Sequence, residues 1–166
     1  MAPKNGHISN SGSRISGKIR YQNRQRWSEC QLVSIWNAMR YWGIDPKIPG
    51  IDTDEYRSIC AKYHAINGAA LRISGERRRL GLSRVQGKKT FAWLRSHLPA
   101  ELGVFCHQGY HSTLAIGVRR NKVLLTNYAR GRTFWISWRL LKTKLRDNPC
   151  QLVPTGAAIS AAPTRP

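Results

Sequence analysis

The sequence has few acidic residues, no closely spaced cysteine pair and no long apolar run. Its 166 residues include 8 Asp and Glu against 28 Lys and Arg, which gives a net charge of +20. The four cysteines are sparse and none forms a C-x-x-C pair, so a disulfide scaffold is not expected. No segment approaches the roughly 18 apolar residues of a membrane span, and the N-terminus lacks the apolar run of a signal peptide. A reducing compartment is therefore expected.

The excess of positive charge predicts strong attraction to polyanions. Nucleic acid is the first candidate partner and an acidic protein surface the second, and no membrane partner is expected. The expected location is the cytoplasm or the inside of a nucleic-acid-containing assembly such as a virion.

Both ends of the chain differ in composition from its middle. Residues 1–20 consist mainly of Gly, Ser, Asn and basic residues, which predicts a flexible basic arm. Residues 151–166 are rich in Ala and Pro and are predicted to form a disordered tail. Between these segments, residues 21–150 have the length of one domain with a hydrophobic core.

Two groups of basic residues are candidate nucleic-acid contacts. Lys18 and Arg20 belong to the basic arm, and a run of three arginines lies near the end of a predicted helix, at Arg77, Arg78 and Arg79. Side chains of this kind bind phosphates and release counterions. The alternative for both groups is a solvated surface without a ligand.

The pattern of apolar residues predicts helices first and strands afterwards. Apolar side chains recur at helical spacing over 29–42, 52–63 and 69–80, and a short strand at 82–85 and a short helix at 89–98 follow. Strand-like segments then cover 102–106, 111–118, 122–128 and 133–136, with a hairpin turn at 119–121 and a final helix through Leu145. This order predicts an α+β domain with helices packed on a mostly antiparallel sheet.

Three separated residues have the chemistry of a thiol hydrolase. Cys30 begins a predicted helix, where the helix dipole and a nearby imidazolium would lower the pKa of its thiol. His111 starts a strand and Asn127 ends the next, so a hairpin would place them at the same end of adjacent strands. The Asn127 amide could then accept the imidazole N–H and fix its tautomer. The alternatives are a buried structural cysteine, a plain histidine at a strand end and a turn asparagine.

The chain resembles the papain-like cysteine peptidases, and among them the bacteriocin-processing peptidases that cut after double-glycine leaders. In that family an acidic residue and Cys begin a helix that ends in an aromatic pair and Gly. Here Glu29 and Cys30 are followed at matching spacing by Tyr41, Trp42 and Gly43.

The later part of the family pattern is also present. His at the start of a strand, Asp or Asn at the end of the next, then a small residue and Gly correspond to His111, Asn127, Ala129 and Gly131. The resemblance covers roughly residues 22–145. It implies a papain-like fold and cleavage of a peptide bond in a protein or peptide substrate.

The sequence departs from the family at three places. Gln31 follows the nucleophile where the family has Gly, and Tyr128 follows Asn127 where it has Pro. The family's oxyanion donor, a Gln six residues before Cys, corresponds here to Arg24. The resemblance therefore implies Gln25 as the donor beside the Cys30 N–H, and Gln22 stays open as the alternative.

Two functions are compatible with these residues. The first is a cysteine peptidase that uses Cys30 as nucleophile, His111 as base, Asn127 as orienter and Gln25 in the oxyanion hole. The second is a catalytically weak or inactive papain-like fold that serves as a basic, nucleic-acid-associated structural protein of a virion or ribonucleoprotein particle. No cofactor is expected.

A zinc site is the remaining alternative. Cys and His are its usual ligands, and the chain offers Cys60, His64, Cys106, His107 and His111. Their spacing matches no zinc finger, and a strand would point residues 106 and 107 to opposite faces. No metal site is therefore predicted.

Overall fold

The computed structural model describes residues 19–23, 30–44, 54, 82–106, 109–129 and 131–155. Three helices lie within these ranges: α1 (Cys30–Tyr41), α2 (Phe91–Ser96) and α3 (Trp138–Lys144). Six strands accompany them: β1 (Leu82–Gln86), β2 (Ala100–Cys106), β3 (Gly109–Arg119), β4 (Lys122–Ala129), β5 (Arg132–Ser137) and β6 (Cys150–Pro154).

Helix α1 is the central helix of the described structure. All eight residues from 32 to 39 are buried, so this part of the helix is covered on every side and has no solvent-exposed face. The helix ends at Tyr41, and the chain turns away at Gly43, whose φ of 78° suits glycine. The Ile44 N–H donates to the Met39 carbonyl at 3.0 Å. This closing bond satisfies a carbonyl that the helix itself leaves unpaired.

The six strands form one sheet in the order β1-β6-β2-β3-β4-β5, and every neighbouring pair is antiparallel. Strands β3 and β4 form a hairpin in which Arg119 pairs with Lys122 across a two-residue turn. The last residue pair between β3 and β4 at the open end of the hairpin is Leu114 with Thr126, and the pairing ends there. This end of the hairpin carries the candidate site.

The sheet has an apolar core on each face. On one face, α1 packs against Leu82, Leu114 and Leu152. On the other, Leu94 of α2 and Leu141 of α3 pack with Ala115 and its neighbours. Adjacent strand residues point to opposite faces, which explains why Leu114 and Ala115 belong to different cores. Burial of each leucine stabilises the fold by about 1.5 to 3 kcal/mol.

Most predicted elements agree with the structure, and two differ. The predicted helix at 89–98 is shorter because the Thr90 side chain accepts the Trp93 N–H and starts α2 at Phe91. The predicted disordered tail from residue 151 is wrong at its start, since β6 pairs with both β1 and β2. Only Cys150 and Leu152 of β6 are buried, a pattern too short to outweigh the Ala/Pro composition.

Some predictions fall outside the described residues. The helices at 52–63 and 69–80 lie there apart from Asp54, as does the basic arm up to residue 18. None of the described helices is long and apolar enough to cross a membrane.

Candidate active site

Cys30 is the first residue of α1 and is partly buried. Backbone N–H groups of Ser112, Gln31 and Cys30 approach its sulfur. The last two are first-turn donors, which a helix leaves without partners in its own backbone. The sulfur therefore lies among polarised N–H groups that suit an anionic atom.

The thiol lies where β4 separates from β3. The Ser112 N–H approaches the Cys30 sulfur, and the Ser112 carbonyl accepts from Asn127 Nδ2 at 3.0 Å. Both groups of Ser112 point to the β4 side of β3, because the N–H and C=O of one strand residue share a side. The start of α1 and the Asn127 side chain thus take the positions that further β4 residues would have occupied.

His111 is held at the same place by a backbone group. Its Nε2 lies 2.7 Å from the Asn127 carbonyl oxygen, and its ring meets the Tyr128 ring edge-on with centroids 5.9 Å apart. A carbonyl oxygen only accepts, so Nε2 carries the hydrogen and Nδ1 of the neutral ring is left as the proton acceptor. The backbone carbonyl, and not the expected side-chain amide, therefore fixes this tautomer.

The Asn127 side chain points inward, toward α1. Its Nδ2 lies within hydrogen-bond distance of the Cys30 carbonyl at 3.3 Å, the Ser34 hydroxyl at 3.2 Å and the Ser112 carbonyl at 3.0 Å. Asn127 has a φ of 42°, in the left-handed region that Asn tolerates better than most residues. This conformation turns the carbonyl toward His111 and the side chain toward Cys30, so the residue links both.

A buried polar network supports this link. Ser34 donates to the Cys30 carbonyl at 2.9 Å, and Ser112 Oγ lies 3.2 Å from Ser34 Oγ and 3.1 Å from Glu101 Oε1. On the other side, Thr126 donates to Asn127 Oδ1 at 2.7 Å. Buried polar groups with satisfied hydrogen bonds rigidify the surrounding core.

The segment before the site is tied to the same network. Asn37 accepts the Gln22 N–H and donates to the Gln22 carbonyl, both at 2.8 Å, and also donates to Thr126 at 3.0 Å. The Asn23 side chain accepts the Asn127 N–H at 2.9 Å. Gln22 is thus held by its backbone near the site, whereas Gln25, the implied oxyanion donor, lies outside the described residues.

Sequence reasoning missed these supporting residues, although α1 carried a signal for them. Cys30, Ser34 and Asn37 recur at helical spacing on the side of α1 that meets β3 and β4. Polar residues on a buried helix face need partners, and this requirement predicts polar residues on the opposing strands. Glu101 and Ser112 lie in apolar strand segments and give no such signal alone.

Burial shifts the pKa values of both reactive groups toward their neutral forms. The pKa of the Cys30 thiol is raised by desolvation, and the neighbouring N–H groups offset only part of this effect. The pKa of His111 is lowered by desolvation, against the opposing hydrogen bond with Asn127. The expected lowering of the thiol pKa is therefore wrong, because burial outweighs the helix N-terminus.

A buried carboxylate adds to the shift at Cys30. Glu101 is 7% exposed and its negative charge raises the pKa of the Cys30 thiol further. It also raises the pKa of Tyr110, for which desolvation is the larger cause. Glu101 therefore opposes thiolate formation while it accepts from Ser112.

Tyr110 lies near the Cys30 thiol, and Phe105 is its cross-strand neighbour. Phe105 and Tyr110 are paired across β2 and β3 and are 55% and 40% exposed. The Tyr110 hydroxyl is hydrogen-bonded to the Gln31 side chain, and the Arg146 guanidinium lies 4.6 Å from the Tyr110 ring centroid. The surface next to Cys30 therefore offers apolar area to a bound peptide.

The structure brings together only part of the predicted sites. Asn127 contacts the Cys30 carbonyl through its side chain and His111 through its own carbonyl. Arg20 is tied down by its carbonyl, which accepts from Arg40 at 2.6 Å, whereas Lys18 and the 77–79 arginine run lie outside the described residues.

The residues of the zinc alternative are also only partly described. No three His, Cys, Asp or Glu side chains within the described ranges are placed to hold a metal ion. Cys60, His64 and His107 lie outside those ranges.

Comparison with solved structures confirms the predicted fold. The chain is similar to the peptidase domain of Streptococcus ComA, a bi-functional ABC transporter involved in a quorum sensing pathway, with a TM-score of 0.62. The two sequences are 14% identical, and the match covers 82% of this chain and all of that domain. No family model and no curated protein matches the sequence. The chain thus has an α+β fold similar to that of this peptidase domain.

Proposed function

We propose that the protein is a cysteine peptidase. The observation that carries this proposal is that Asn127, where β4 leaves β3, contacts both the Cys30 carbonyl and the His111 ring. The likeness to a peptidase domain supports it. A protein or peptide substrate would lie across the Cys30 end of α1, against the exposed rings of Phe105 and Tyr110.

The reaction follows from the tautomer of His111. Nδ1 takes the thiol proton, and the sulfur attacks the scissile carbonyl to form a tetrahedral oxyanion. The Cys30 N–H stabilises that oxyanion, and the proposed second donor is Gln25. The imidazolium then protonates the leaving amine as the C–N bond breaks. Water, deprotonated by His111, hydrolyses the thioester and releases the acid.

In this proposal His111 acts as a general base from a neutral resting state. The pKa of the thiol is raised and the pKa of the imidazole is lowered, and both directions favour the neutral forms before substrate binds. The proton therefore moves during attack, when the developing positive charge on the ring is stabilised by the Asn127 carbonyl. This requires the Nε2 hydrogen bond to persist through the step.

The test is cleavage of a mixed peptide library, read by mass spectrometry, together with labelling by a peptide vinyl sulfone. Wild type should cleave and label at Cys30, and Cys30→Ala and His111→Gln should do neither. Cys106→Ala is the matched control, because Cys106 is the other partly exposed described thiol. Equal cleavage by wild type and Cys30→Ala, or labelling confined to Cys106, would overturn the proposal.

A second function is favoured by the raised thiol pKa and the net charge of +20. In this proposal the fold has weak or no catalysis and serves as a nucleic-acid-associated structural protein, in a virion, a ribonucleoprotein particle or the cytoplasm. Its test is binding of duplex and single-stranded nucleic acid between about 50 and 200 mM salt. Affinity that does not fall with salt would exclude it, and Cys30→Ala should bind like wild type.

A further inference from the structure

The turn between β3 and β4 forms one wall of a groove far along the hairpin from His111. The groove has a volume of about 370 Å³ and is lined by Arg119, Arg120, Asn121, Lys122, Trp135 and Ser137. We call this set the hairpin groove. None of these residues takes part in the peptidase chemistry proposed above.

The groove is built on two rows of cross-strand neighbours that share one face of the sheet. Gly117, Leu124 and Trp135 form an apolar row, and Arg119, Lys122 and Ser137 form the next row. Strand alternation puts the two rows on the same face, since their members lie two residues apart on each strand. A flat aromatic surface therefore lies beside cationic side chains.

Trp135 is held as a platform. A Cβ on Gly117 would lie 3.6 Å from the Trp135 ring, in ordinary contact distance, so the ring lies over a position without a side chain. Trp135 nevertheless remains 42% exposed. An indole that is supported from below and open above suits a stacking ligand.

The cations of the groove are exposed side chains. Arg119, Arg120 and Lys122 form no ion pair with any carboxylate in the described part of the chain. Arg120 has a φ of 52°, a left-handed conformation that is strained for a non-glycine residue. Gly or Asn would suit this turn better, so the guanidinium is placed at the hairpin tip at some cost to stability.

The groove is fixed to the rest of the fold. The Trp138 N–H donates to the Asn121 carbonyl at 2.8 Å, which joins the turn to the start of α3. The Ser137 side chain accepts the Leu140 N–H and caps the same helix. A groove with fixed walls binds a ligand without the entropy loss of ordering a loop.

We propose that the hairpin groove binds single-stranded nucleic acid, with a base stacked on Trp135 and phosphates bound by Arg119, Arg120 and Lys122. A duplex keeps its base faces stacked inside, so an exposed indole favours an unpaired strand. Arg119 and Lys122 lie in the row next to the ring on the same face, where they can bind the phosphates that flank a stacked base. The net charge of +20 adds long-range attraction. This binding does not depend on the proposed peptidase activity.

The test is fluorescence anisotropy of a labelled oligothymidine and a labelled oligouridine of about 12 nucleotides. Trp135→Ala should weaken binding about 5- to 100-fold, and Trp135→Phe should retain most of the affinity. Replacing Arg119, Arg120 and Lys122 by Gln should weaken binding at least about tenfold and reduce the salt slope by about 2. Urea denaturation checks that each variant is folded.

A matched control distinguishes binding at the hairpin groove from attraction by the overall positive charge. Lys88, Arg95 and Lys142 are three exposed cations outside the groove, and their replacement by Gln removes the same charge. This control should weaken binding less than about threefold. An equal loss in the control and groove variants, wild-type affinity in Trp135→Ala, or tighter binding of a duplex of the same length would each overturn the proposal.

Discussion

His111 Nε2 lies 2.7 Å from the backbone carbonyl oxygen of Asn127. The group that orients the imidazole is therefore a main-chain atom, which no substitution of residue 127 removes. What the Asn127 side chain contributes is the conformation that aims this carbonyl. A φ of 42° and an amide bound among three acceptors hold the peptide in place.

Substitution of Asn127 should separate these contributions. Asn127→Ala should lower the free energy of unfolding by about 2 to 4 kcal/mol, because buried acceptors lose their donor and Ala is strained at positive φ. Asn127→Gly loses the same amide but tolerates the φ, so it should be more stable than Asn127→Ala by up to about 1 kcal/mol. Urea denaturation measures both.

The same pair of variants tests the site geometry. If the carbonyl orients His111, Asn127→Gly should retain more peptidase activity than Asn127→Ala. Equal and complete loss of activity in two folded variants would instead assign the orienting role to the side-chain amide.

Part of the site could be predicted because its chemistry is local. A cysteine at a helix start and a histidine at a strand start are visible in short segments, and a two-residue turn sets the distance to Asn127. The direction of the Asn127 side chain could not be predicted, since it depends on one backbone torsion. The thiol pKa was also missed, because burial of Cys30 depends on elements distant in the sequence.

The sheet, like the site, could be predicted only in part. Strands β2 to β5 have clear alternation and agree with the predicted segments to within a few residues. Strand β6 could not be predicted from its five residues, because its place between β1 and β2 comes from tertiary pairing. The division of the apolar residues into two cores likewise follows from pairing and not from composition.

Removal of the buried charge near the thiol should make Cys30 more reactive. Glu101→Gln keeps an acceptor for Ser112 but removes the charge that raises the pKa of Cys30. A lower thiol pKa means more thiolate, so alkylation by iodoacetamide at about pH 8 should be faster by about two- to tenfold. Site-resolved mass spectrometry measures the rate at Cys30 alone.

Asp147→Asn is the matched control for this substitution. Asp147 is exposed, and its charge acts on Tyr110 but is not among the influences on Cys30. Its substitution should leave the alkylation rate unchanged. Equal acceleration by both variants would show an effect of net charge and not of Glu101.

The pH dependence of alkylation should show the raised thiol pKa. Only the thiolate reacts, so the midpoint of the rate increase at Cys30 should lie above the pKa of about 8.5 of an unperturbed thiol. The same measurement after unfolding in urea supplies the reference for each cysteine. A plateau at Cys30 below the midpoint of the unfolded chain would contradict the neutral resting pair and indicate a preformed ion pair.

The stability of the protein should fall in mild acid because of His111. Its pKa is lower in the folded protein than in the unfolded chain, so the unfolded state binds the proton more readily. The contribution of the neutral ring is fully present above the unfolded pKa of about 6.5 and is lost as pH falls through the folded value. Urea denaturation from about pH 7.5 to 5 should show this loss, and His111→Gln should reduce it.

His97→Gln is the control, since His97 also contacts a carbonyl, that of Trp93 at 2.7 Å. A loss of stability that persists in His111→Gln and disappears in His97→Gln would come from His97 and would contradict this prediction.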